Sequence, residues 1–201
     1  MSLKLLVSTV VTTDFYVTLD ADVVALADEL KYEDFVREGK GNYVREGRGV
    51  HKSWWEGSMK LLQVQHVESG EEDAKDGFGV TPAVLSRAGA MASLGMIQSL
   101  YGEGWEEIWL MTWENLWWSE YTLYRVALDE LGLFDVLHNA IPDVQMVCYS
   151  VWWEGDLPWN AERAMGGVCE RGEERCLFSV VQSTAGVGVD TVAKQLAAYV
   201  V

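Results

Sequence analysis

Trp54-Trp55-Glu56-Gly57 recurs as Trp152-Trp153-Glu154-Gly155. Each copy sets a carboxylate beside two indole rings. Paired carboxylates near aromatic platforms are what glycoside hydrolysis uses, one protonating the leaving oxygen while the other attacks or activates water. That role depends on their separation, so turn residues ahead of a glycine are the plainer expectation for Glu56 and Glu154. Trp54, Trp55, Trp152, Trp153 and Trp159 have two uses. Neighbouring residues of a strand point to opposite faces. One indole of each pair would therefore enter the core while the other meets a partner, a sugar or a flat ligand. Tryptophan suits such contacts because it buries a large area at small entropic cost.

His66 alternates with Leu62 and Val64 on an expected strand and so faces inward. A lone inward histidine is a hydrogen-bonded core residue or, alternatively, a general base opening onto a pocket. His138 is expected at the C-terminal end of a helix, and His51 lies exposed in a basic stretch. Three histidines and three cysteines show no zinc-site spacing, and no metal or cofactor is expected. Cys148 reads as a small apolar residue of a buried strand. Cys169 and Cys176 could pair, but with no signal peptide or transmembrane segment evident the expectation is a reducing, cytoplasmic or otherwise intracellular setting that favours free thiols.

The acidic loop at 68–76 lacks the alternation of a calcium loop. Gly77-Phe78-Gly79-Val80-Thr81 and Gly186-Val187-Gly188-Val189-Asp190 precede expected helices. A helix N-terminus can hold phosphate, but neither segment has the third glycine or the lysine of a phosphate loop, and Asp190 would repel the anion. Tight turns are the better account. No serine stands in a nucleophile-elbow pattern.

These residues need elements to position them. Asp28-Glu29-Leu30 and Asp129-Glu130-Leu131, the two Trp-Trp-Glu-Gly segments and the two Gly-x-Gly-Val segments fall in one shared order. That order points to an internal duplication. Strands are expected at 3–11 and 15–18, then a helix capped by Asp20 that buries Val23, Ala27 and Leu30. Strands at 42–55 and 59–67 follow, then a helix opened by Thr81-Pro82. The second half would repeat this with strand 106–113, helix 116–131 ended by Gly132, a buried strand at 144–153, strand 176–182 and helix 191–200. The expectation is an α+β protein of two tandem β-α-β-β-α repeats, 1–101 and 102–201. They would pack as one unit on a shared or barrel-like sheet, with helices outside. One conflict stands: Trp105, Trp109, Trp113 and Trp117 are four apart, which also suits a helix.

The chain has 201 residues, 49% hydrophobic, with a net charge of −16. That charge disfavours direct nucleic-acid binding, and no stretch is apolar enough to suggest a membrane span. Basic residues gather around the first tryptophan pair (Arg37, Lys40, Arg45, Arg48, Lys52, Lys60), whereas Arg125 is the only one from 88 to 162. The leading expectation is an acidic, Trp-rich interaction or assembly protein, or an inhibitor of a basic protein, that binds itself or a protein partner through aromatic surface. The alternative is a cofactor-free enzyme or binder with a Trp-lined apolar pocket for a small flat molecule, His66 acting as its acid–base group. A carbohydrate binder is a third.

Overall fold

Strand β1 (Phe15–Thr18) pairs antiparallel with β5 (Ala83–Ser86), Phe15 opposite Ser86 and Thr18 opposite Ala83. Around this long-range antiparallel pair a computed structural model builds a mixed α+β protein. It describes residues 3–27, 29–65, 77–79, 81–112, 116–141, 146–147, 150–152, 160 and 177–197. The other strands are β2 (Val23–Ala25), β3 (Val36–Arg37), β4 (Lys40–Val44), β6 (His138–Ile141) and β7 (Phe178–Val180). Among the described residues, β2 pairs with β7 and the third sheet runs β3-β4-β6, without a closed barrel. The helices are α1 (Leu3–Leu6), α2 (Tyr32–Phe35), α3 (Lys52–Leu61), α4 (Arg87–Tyr101), α5 (Trp105–Thr112), α6 (Glu120–Glu130), α7 (Phe134–Leu137) and α8 (Val189–Leu196). None of the described helices is long and apolar enough to cross a membrane.

The chain divides into two compact units, residues 1–18 with 35–140, and residues 19–34 with 141–201. In the first, α4 and α3 both pack on α6. Helix α6 has Tyr121, Leu123, Tyr124, Ala127 and Leu128 all buried, each large apolar side chain contributing about 1.5–3 kcal/mol of burial. Ser119 starts α6 through a reciprocal capping box with Thr122, and Gly132, at φ 66°, follows its end. Gly89 lets α4 approach α6 closely, since a Cβ there would stand 2.7 Å from the Tyr124 hydroxyl. In the second unit, Phe178 and Val180 of β7 are buried, with Leu26, Leu177, Val151 and Val181.

Several expected elements change type. Residues 3–9 form α1 and a 3-10 turn rather than a strand. Asp20 caps no helix, because the β-branched pair Val23-Val24 enters β2. Trp54 and Trp55 lie on α3, which runs to Leu61 where strands were expected. Thr81-Pro82 precedes a strand, β5, and α4 begins only after it, capped by Ser86. Residues 105–112 are helical, so the four-residue tryptophan spacing is a helical stripe, Trp105 stacking on Trp109 at 5.6 Å.

Candidate functional site

Trp54, Trp55 and Glu56 are successive residues of a helix, neither strand neighbours nor a turn before glycine. Trp55 is buried under the Arg48 guanidinium, 4.3 Å from its ring centroid. Arg48 in turn donates to Asp129 Oδ2 at 2.9 Å. Trp54 is half-buried, its ring stacked on His51 at 4.0 Å. His51 is therefore not the exposed residue expected; its Nε2 lies 3.6 Å from Glu46 Oε2. Burial lowers the His51 pKa and pushes Glu46 up to about 7. Gly57 has a plain structural reason: a Cβ there would run into the Trp117 carbonyl. Trp152 is half-buried in the second unit. His66, Trp153, Glu154 and Trp159 lie outside the described residues, as do the acidic loop 68–76 and all three cysteines.

His138 is a buried residue of β6, and its ring bonds Gly41 and Tyr124 rather than the end of the preceding helix. Its Nδ1 faces the Gly41 carbonyl at 3.1 Å, so Nδ1 must donate. Nε2 then accepts from the Tyr124 hydroxyl at 2.7 Å, and that hydroxyl accepts from the Ser86 N–H at 3.0 Å. Phe134 stacks on the imidazole at 4.9 Å, while Phe78 and Tyr43 stand edge-on. Burial, with a smaller contribution from Arg125, lowers the His138 pKa to about 4. Both ring nitrogens are satisfied, so this is a neutral structural pin joining α6, β4, β5 and β6.

Two carboxylates stand out because an oxygen of each is buried without a donor, a state that costs about 1–3 kcal/mol per group and calls for a reason. Glu120, in the first unit, opens α6 and is almost wholly buried. Its Oε1 meets Lys4 Nζ at 2.9 Å, and Lys4 also donates to the Tyr121 hydroxyl at 2.7 Å. Its Oε2 has no hydrogen-bond partner.

Asp22 belongs to the second unit. The Val23 N–H donates to the Asp20 carbonyl at 3.2 Å, closing a turn, and Val181 N–H donates to the Asp22 carbonyl at 2.9 Å. Asp20 and Asp22 thus sit on a turn pinned to the end of the β2–β7 pair. Asp22 Oδ1 is buried without a partner, and so is Oε1 of Gln182, the residue after Val181. Taking Asp20 for a helix cap hid this pattern. The available signal was two carboxylates two residues apart, shortly after the strand expected at 15–18. Among the described residues, no group of three or more His, Cys, Asp or Glu side chains is placed to hold a metal ion.

A family model described as "Family of unknown function (DUF6492)" matches residues 2–201. No curated protein and no solved structure matches the chain.

Proposed function

The chain belongs to this family of unknown function, DUF6492, and we propose that it is an enzyme acting on a small phosphate-bearing molecule held through a divalent cation at Asp20 and Asp22. The observation that carries this is the buried, donorless Oδ1 of Asp22, two residues after Asp20 on a pinned turn. An ionised carboxylate oxygen only accepts, so what completes it is a donor or a cation. Two carboxylates with no third His, Cys, Asp or Glu ligand among the described residues match the way magnesium-type ions are held, by one or two carboxylates with substrate phosphates and water filling the remaining positions. Such an ion also lets a chain of net charge −16 receive an anion, and it neutralises charge that develops on phosphoryl oxygens. The ligand is therefore polar. The described tryptophans Trp55, Trp105, Trp109 and Trp118 are buried in the protein interior, which weighs against a Trp-lined apolar pocket among them.

The test is titration with Mn²⁺ followed by electron paramagnetic resonance. The wild type is expected to take up the ion, more tightly when inorganic pyrophosphate is present. Asp22→Asn is expected to weaken uptake about tenfold or more, the loss of a direct charged ligand. Equal affinity in both proteins would sink the reading.

A second reading, an assembly or interaction protein, has one observation in its favour: the Trp117 side chain is 69% exposed, on backbone held against Gly57. An exposed indole on fixed backbone is a low-entropy anchor. With this reading goes the internal duplication, supported by the shared order of the repeated segments, which would give equivalent surfaces opposite charge. Sizing at low and high salt is expected to show a salt-sensitive oligomer that Trp117→Ala dissociates. A monomer throughout removes this reading.

A further inference from the structure

Glu46 follows β4 in the first unit, and His51 closes the 3-10 helix Arg48–His51 that leads into α3. His51 Nε2 and Glu46 Oε2 are 3.6 Å apart. That is too long for a hydrogen bond, and among the described residues neither side chain makes one. An imidazole and a carboxylate therefore face each other across a gap. Both can be reached from solvent, since 18% of the His51 side chain and 27% of the Glu46 side chain are exposed.

The gap is the width that a shared metal ion would leave. Zinc bonds of about 2.0–2.2 Å to nitrogen and oxygen span the 3.6 Å at an angle of about 120°, close to tetrahedral. Imidazole with carboxylate also suits an ion of this type. Each side chain is held in place. The Trp54 ring stacks on the imidazole at 4.0 Å with the planes 10° apart, and the Trp54 carbonyl accepts from the Thr122 hydroxyl at 3.3 Å. The Glu46 carbonyl accepts from the Gly77 N–H at 2.7 Å. Arg48, the cation between them in the chain, donates to Asp129 and lies over the Trp55 ring. Burial lowers the His51 pKa, which favours the neutral imidazole that a metal requires.

We infer that His51 and Glu46 form a binding site for a divalent ion of zinc type, held by His51 Nε2 and Glu46 Oε2. Among the described residues no third His, Cys, Asp or Glu is placed to join them, so water fills the remaining positions. Two protein ligands make an exchangeable site, unlike the closed four-ligand sites that hold structural zinc. It uses none of the residues of the cation site at Asp20 and Asp22, and nitrogen ligation sets its preference apart from that of an all-oxygen site. Either site stands without the other.

The test is titration of the full chain with zinc chloride at pH 8, above the Glu46 value of about 7, so that the carboxylate is ionised. The three histidines are followed by their ring Cε1–H signals in nuclear magnetic resonance, and His51→Gln identifies the His51 signal by its loss. This readout is specific to the imidazole, so zinc taken up elsewhere does not register as binding here. The His51 signal is expected to move and then saturate as zinc is added. Glu46→Gln, which removes the charged ligand, is expected to weaken that uptake about tenfold or more. Should Glu46→Gln fail to fold, Glu46→Asp replaces it; the carboxylate is then withdrawn by one methylene, and the same loss is expected. A His51 signal that zinc leaves in place, or equal affinity in the wild type and the folded Glu46 variant, would overturn the inference and leave the two side chains as an ion pair only.

Discussion

Gly57→Ala is expected to lower the stability of the first unit by about 3 kcal/mol, roughly 10 °C in melting temperature. The added methyl would overlap the main-chain carbonyl of Trp117. Neither side of that contact is a flexible side-chain end. Relief would require α3 to move away from α6, where the Ser58 and Thr122 hydroxyls meet at 2.7 Å and Trp118 is buried. Helix propensity works the other way, since alanine is favoured over glycine by up to about 1 kcal/mol. Gly95→Ala is the control. Gly95 lies inside α4 with open space where a Cβ would go, so that variant is expected to be as stable as the wild type or more so. Thermal unfolding followed by circular dichroism measures both. Equal melting temperatures for Gly57→Ala and Gly95→Ala would refute the close approach as the reason for the glycine.

Acidification is expected to remove about 3 kcal/mol through His138 alone. Its folded pKa is about 4 against an ordinary value of 6.5, a gap of about 2.5 units at 1.36 kcal/mol each. The sign follows from proton uptake. Between pH 6.5 and 4 the unfolded chain binds a proton at this residue and the folded chain does not, so stability falls as pH falls through that window and levels off below it. Glu46 acts in the opposite sense. Its carboxyl is raised to about 7 from 4.5, so the folded state is the one that holds the proton between those values, and lowering the pH favours folding there. The comparison must therefore isolate His138. Urea unfolding of the wild type and of His138→Gln, at intervals from pH 7 to 4, gives a difference in which Glu46 cancels. The wild type is expected to lose about 3 kcal/mol relative to the variant across that range. A flat difference would mean that the imidazole is charged, or accessible, in the folded protein.

Local chemistry was legible where it acts alone. Phe15–Thr18 reads as a strand from its aromatic and β-branched residues and is one. The helix ahead of Gly132 ends where a glycine admits positive φ. Helices α4 and α6 lie within the stretches expected for them, shorter at their starts because β5 and the Ser119 capping box claim those residues. The α+β class was visible in the same signals. The candidate site was much less so. His138 is indistinguishable in sequence from an exposed helix-end histidine; its neutrality comes from Gly41, 97 residues away, and from four aromatic rings supplied by separate segments.

What the chain's own order of residues determined, then, is its charge, its balance of helix and strand, and the places where glycine or a capping side chain ends or begins an element. Those are short-range properties, set by backbone sterics and by neighbours within a few residues. Tertiary structure decided the rest. It turned the tryptophan stripe at 105–112 into a helix by giving it a face to pack on, with Trp109 stacked on Trp118 at 5.8 Å. It drew Val23 and Val24 into β2 by offering β7 as a partner. It also enclosed one oxygen each of Asp22 and Glu120 without a donor. Strand pairing and burial depend on residues far apart in the chain, so whether a carboxylate is a solvated surface group or an enclosed acceptor is settled only when distant segments close around it.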